Sequence, residues 1–157
     1  MDINMNTAFD FDKIRLEIES SPQNSTIYVG ADSQVHSSKK TKEKIVTYVT
    51  VIILHYGSSR GAKIFRSYTK KPYYDQIRMR LMDEVRLAID AGLSIISSIG
   101  DRGFEIHLDI NRNMQYKSSV IIHEATGYVL GTLGIQPKLK PDSFAASCVA
   151  DRFCHGR

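Results

Sequence analysis

The stretch Ile27-Tyr28-Val29-Gly30-Ala31-Asp32-Ser33-Gln34 decides how this chain is read. Its aromatic and β-branched residues suit a pleated surface, so 26–31 is predicted to be a strand. Gly30 and Ala31 leave room beside the following acid for a ligand or a neighbouring backbone. Asp32 then stands at the strand's end. An aspartate there also starts ordinary turns, so its meaning depends on what the rest of the chain brings near it.

Upstream, residues 9–19 place Phe11, Ile14 and Ile18 at helical spacing, and 20–25 read as a loop. Downstream, 44–56 is rich in β-branched and aromatic residues and reads as a long second strand. Gly57 to Gly61 is a turn and 62–68 a third strand, which completes an antiparallel meander. Pro72 is positioned to open a helix that runs to about Asp90 and is closed by Gly92. A short strand at 104–109, a helix over 118–133 ending at Gly134, a strand at 135–139 and a last helix over 141–151 complete the order. No repeat, low-complexity tract or linker divides the chain, so residues 1–157 are expected to form one domain with an extra N-terminal helix.

The order β-β-β-α-β-α-β-α favours an α/β fold with a mixed five-stranded sheet, three antiparallel strands followed by parallel ones. Crossovers between parallel strands are right-handed almost without exception. The simplest topology therefore sets the first and fourth strands side by side at the centre. Ligands in open α/β sheets gather at the carboxyl ends of strands where the connections change direction. Asp32 and Asp109 lie at the carboxyl ends of those two strands.

Two neighbouring carboxylates repel unless a cation separates them, and Mg²⁺ or Mn²⁺ takes oxygen ligands of this kind. One or two such ions, held by acids from several elements, support phosphodiester hydrolysis. Glu84 falls on or beside the apolar stripe Ile77, Leu81, Val85 and Ala88, where a carboxylate is costly unless paired or metal-bound. Pairing with Arg80 or Arg86 is the plainer explanation. Asp142 opens the last helix, a position where Asp is a good cap; Asp151 is the alternative acid of that helix.

The composition is that of a globular protein, with 42% hydrophobic and 24% charged residues and a net charge of +4. Lys39 and Lys40 in one cluster, and Lys70 and Lys71 in another, suit phosphates along a nucleic-acid backbone; solvated loops explain each cluster equally well alone. Tyr73 and Tyr74 beside the second cluster suit base stacking or core packing. Cys148, Cys154 and His155 lack the spacing and fourth ligand of structural zinc. Two cysteines do not make a disulfide framework, and the first residues lack a signal-peptide pattern, so a cytoplasmic setting is expected. No apolar run is long enough for a membrane span.

The segments VGADSQ at 29–34, IHLDI at 106–110, EATGYVLG at 124–131 and KPDSFAASCVAD at 140–151 resemble the YkuK-type RNase H-like family. The last is the most distinctive, and the similarity runs from about Ile27 to Phe153. The resemblance implies a predicted nuclease branch of the RNase H-like superfamily with a Mg²⁺- or Mn²⁺-dependent acidic site. Asp32, Glu84 and Asp109 match its first-strand, helix and fourth-strand acids, and Asp142 or Asp151 its last-helix acid. The expected function is a metal-dependent nuclease acting on RNA, DNA or a hybrid. The alternative is a non-catalytic RNase H-like module that binds nucleic acid or protein. An actin-like ATPase is disfavoured, since 157 residues leave no room for a second lobe.

Overall fold

The computed structural model describes residues 7–58, 61–113 and 121–156. Its sheet is built from β1 (Thr26–Ser37), β2 (Lys44–His55), β3 (Ala62–Pro72), β4 (Gly103–Asn111) and β5 (Lys138–Lys140), in the spatial order β3-β2-β1-β4-β5. The β1/β2 and β2/β3 pairs are antiparallel, and the β1/β4 and β4/β5 pairs are parallel. This is the mixed α/β sheet that the element order requires, with β1 and β4 adjacent.

Helices α1 (Phe11–Ser20), α2 (Ile77–Ile99) and α3 (Ile122–Leu133) share one apolar layer with the sheet. Ile14 and Ile18 of α1, Ile27, Val29 and Ala31 of β1, and Val85, Ile89 and Ile95 of α2 are buried in it. Each of the larger side chains contributes about 1.5–3 kcal/mol when fully buried, so this layer dominates the stability of the fold. Asp10 caps α1 by accepting the Lys13 N–H at 3.2 Å. Arg102 ties α1 to the α2–β4 turn, donating from Nη2 to the Ser21 carbonyl at 2.6 Å and from Nε to Ser21 Oγ at 2.9 Å.

The opposite face carries a smaller layer. A π-helical segment, Ala145–Ala150, runs directly into a short helix α4 (Asp151–Cys154). Its Ala145, Ala150 and Cys154 pack on Val49, Val51 and Ile53 of β2. Gly30 is what permits so close an approach. A Cβ built there would lie 2.6 Å from the Ala146 nitrogen and 2.7 Å from the Ala145 carbonyl carbon. Both are backbone atoms that cannot swing aside.

Several boundaries differ from those expected. β1 continues six residues beyond Ala31, because β2 offers a long partner and the ladder extends to the Ser37–Lys44 pair. Asp32 therefore lies within the strand. Pro72 ends β3 instead of opening a helix; it pairs opposite Ile45 on an edge strand, where its missing N–H costs no ladder bond. α2 begins at Ile77, which is exposed, and passes through Gly92 to Ile99 before Gly100 stops it at φ 60°. Gly92 is a packing residue: a Cβ there would meet Ile106, Leu133 and Phe104 carbons at 3.2 Å. β5 is short and shifted to 138–140, and the last helix begins after Asp142. Ser59 and Arg60 of the expected turn and residues 118–120 of the expected α3 start lie outside the described residues. Gly134 ends α3 as expected, in the left-handed region at φ 72° with its N–H donating to the Leu130 carbonyl.

Candidate metal centre

Parallel pairing between β1 and β4 runs from Thr26–Gly103 to Gly30–His107. Asp32 and Asp109 are each two residues beyond that last paired rung. Alternation puts Asp32 on the Tyr28–Gly30 face of β1 and Asp109 on the His107 face of β4, both towards the π-helical segment. Asp32 is 7% exposed. Burial is the main cause that lifts its carboxyl from 3.8 to about 7; the charges of Asp109 and Asp151 add to it, and the Ser33 N–H opposes it.

Asp151 enters from the C-terminal segment. Asp32, Asp151 and His155 each offer one donor atom, and these atoms all lie within 4.8 Å of one another. The π turn helps to set this phase. Asp151 N–H reaches back to the Ala146 carbonyl, five residues earlier, and each residue inserted into a helix rotates the remainder of that helix by about 100°. His155 is four residues past Asp151 on the same helical face. Its Nδ1 is 3.1 Å from Asp151 Oδ1 and 2.9 Å from the Asp151 carbonyl oxygen.

Two structural contacts hold that segment over the site. His107, almost fully buried, accepts the Ala145 N–H at Nδ1 (3.1 Å), and its ring packs against Tyr28 and Phe144. Burial is the main cause that lowers its pKa, in keeping with a neutral ring that can accept this bond.

Glu84 reaches the strands from α2. It is 6% exposed and accepts a short hydrogen bond from the Ser33 hydroxyl. Burial first, and then Asp32, push its carboxyl well above the ordinary range, while Ser33 and Arg80 act in the other direction. The alternative partner Arg86 pairs instead with Asp83, at 3.1 Å. Asp109 is held by Lys140 of β5, with Nζ 2.7 Å from Oδ1. Burial alone would lower the Lys140 pKa, but Asp109, Asp32 and Asp151 outweigh it and the net shift is upward.

Asp142 is exposed and precedes the π-helical segment; its N–H donates to the Leu139 carbonyl at 2.8 Å. The acid that approaches Asp32 from this end of the chain is Asp151. Lys39 and Lys40 are exposed in the β1–β2 loop. Lys70 and Lys71 lie half-buried on β3, and Lys71 pairs with Asp83 at 3.5 Å beside the Tyr48 ring. His155 is the ligand-type residue that the sequence reading leaves with the cysteines. The i,i+4 spacing from Asp151 was its readable signal.

The donor set fits a hard or borderline divalent ion. Carboxylate oxygens suit Mg²⁺ and Mn²⁺, and an added imidazole nitrogen tilts the set towards Mn²⁺. The raised Asp32 carboxyl fits as well, because acids gathered this closely do not all ionise without a cation.

A family model described as ribonuclease H-like matches residues 11–155. The chain belongs to the ribonuclease H-like family. It is similar to the uncharacterized protein YkuK of Bacillus subtilis (strain 168), with 25% identity over 158 residues, covering 90% of this chain and 87% of that protein. This places it in the YkuK-type branch of the family. No solved structure gives a significant match. For a ribonuclease H-like chain, a nuclease-like or nucleic-acid-binding module is the supported class, and the acidic cluster is present in it. Among the described residues, no helix is long and apolar enough to cross a membrane.

Proposed function

We propose that this protein is a divalent-metal-dependent nuclease that hydrolyses phosphodiester bonds in nucleic acid. Asp32, Asp151 and His155 hold the ion, and Glu84 and Asp109 complete the acidic centre. Mg²⁺ or Mn²⁺ is the ion; once bound it supplies charge for a phosphate and activates water. The observation that carries this reading is the convergence of Asp32, Asp151 and His155 within 4.8 Å on a ribonuclease H-like fold.

The chain's own residues have distinct parts in it. Asp32, buried and raised to about 7, gives up its proton near neutral pH when a cation replaces it. Glu84, its carboxyl pushed well above the ordinary range chiefly by burial, accepts the Ser33 hydroxyl hydrogen bond and so fixes that residue. His107 and Gly30 fix the C-terminal segment, and so Asp151, against the sheet. Lys39, Lys40, Lys70 and Lys71 are assigned to the substrate backbone, whose phosphates bring most of the affinity in such contacts. Asp142, exposed beside the segment, is the substitute for Asp151 as the last-helix acid.

The test is cleavage of single-stranded, duplex and hybrid substrates with Mg²⁺ or Mn²⁺. Activity that is lost in Asp32→Asn and Asp151→Asn supports the nuclease. Binding without cleavage, under either metal and in all variants, favours a non-catalytic module. Loss in Asp142→Asn with activity retained in Asp151→Asn would move the helix acid to Asp142.

A further inference from the structure

The proposed centre contains a positive charge of its own. Lys140 stands opposite Asn111 in the β4–β5 ladder, and its ammonium reaches back to Asp109 at 2.7 Å. Two residues earlier on β5, Lys138 makes the looser version of the same contact, 3.8 Å from Glu105. The tight pair is the one at the acidic centre. The Lys140 side chain keeps 39% of its exposure.

Asp109 is absent from the group of donors that converge within 4.8 Å. In a two-ion centre the ions sit about 3.5–4 Å apart, held by carboxylates from several elements. Here one Asp109 oxygen, buried and without a hydrogen-bond partner among the described residues, already has a compact ammonium 2.7 Å away as its ion-pair partner. A second divalent ion on that oxygen would have to displace Lys140 or lie within a few ångströms of it, where like charges repel strongly in a partly buried setting.

We infer that Lys140 is a built-in cation that occupies the second-ion position on Asp109, so that the centre takes one divalent ion, on Asp32, Asp151 and His155. The inference rests on the metal-dependent reading above. It makes Lys140 a positioning residue: it holds Asp109 and places a fixed positive charge beside the ion.

Mn²⁺ titration of the chelator-treated full chain, followed by calorimetry and by the free-Mn²⁺ electron paramagnetic resonance signal, tests this without any substrate. One Mn²⁺ per chain is expected for the wild type and for Lys140→Arg. Lys140→Met, which keeps the aliphatic stem, is expected to bind a second. Asp109→Asn should still bind one, with affinity within about a hundredfold of wild type, the range that loss of a supporting group costs a metal site. Two ions in the wild type, or one ion in a folded Lys140→Met, overturn the inference alone. If Lys140→Met does not fold, Asp109→Asn decides: a loss of more than about a hundredfold would make Asp109 a direct ligand and overturn it. No Mn²⁺ binding by the wild type, or undiminished binding by Asp32→Asn, overturns the metal reading itself and the inference with it.

Discussion

Gly30 of β1 lies directly beneath Ala146, close enough that a Cβ on Gly30 would be 2.6 Å from the Ala146 nitrogen. The same segment carries Asp151 five residues further on, so the packing of one glycine sets the distance between two strands' acids and a helix acid. Gly30→Ala must push the segment away, since a backbone atom has no rotamer to change. Overpacking of this kind costs about 1–3 kcal/mol. The expected result is a lower denaturation midpoint together with weaker Mn²⁺ binding, read by denaturant titration and calorimetry. Unchanged metal affinity would detach Gly30 from the site.

The Asp32 carboxyl gives the metal-free protein a pH dependence of definite sign. Its folded value, about 7, lies above the 3.8 of an unperturbed aspartate, so the folded chain retains a proton that the unfolded chain releases. Stability from this group is full below about pH 4 and falls as pH rises to about 7. The loss amounts to roughly 4 kcal/mol at the upper end. Without metal at pH 8, Asp32→Asn is therefore expected to melt above the wild type. Added Mn²⁺ should raise the wild-type Tm and leave the variant unmoved. A variant that melts lower without metal would contradict the electrostatic account.

Ser33 supplies a hydroxyl hydrogen bond to the buried Glu84. Removing that donor strands a buried carboxyl, at a cost of about 1–3 kcal/mol. Ser33→Ala should lower the unfolding free energy by that amount at pH 7, whereas Glu84→Gln, which preserves shape, should lose activity with a smaller change in stability. Equal destabilisation by both would reduce Glu84 to a structural group.

Lys39 and Lys40 are exposed on the β1–β2 loop and are assigned to phosphate contacts. Each is expected to weaken binding of all sequences alike when changed to Ala and to reduce the slope of log affinity against log salt by about one. Fluorescence anisotropy at several salt concentrations reads this out. An unaltered slope would return these lysines to the solvated surface.

Much of the sheet was legible because its local signals agree. The long β-branched run of β2 permits little but a strand, and the crossovers force β1 and β4 together. Asp32 and Asp109 were legible as acids on adjoining strands for the same reason. Gly92 and Pro72 misled because one residue type serves two ends: glycine closes a helix or admits a neighbour, and proline opens a helix or sits on an edge strand. The approach of Asp151 and His155 was harder to read. It depends on a π-helical segment, and no residue pattern in 145–150 announces the shift in helical phase that such a turn brings.

In the proposed nuclease, a divalent ion bound by Asp32 and Asp151 enables phosphodiester cleavage. The most direct measurement compares wild type, Asp32→Asn and Asp151→Asn in Mn²⁺-dependent cleavage of labelled RNA, DNA and hybrid substrates. Wild-type cleavage is expected to stop on chelation and return with Mn²⁺, with loss of at least about a hundredfold in each variant, as for removal of a key electrostatic group. Cleavage that persists in both variants, or a wild type that binds Mn²⁺ and nucleic acid yet cuts none of the three, would contradict the proposed function.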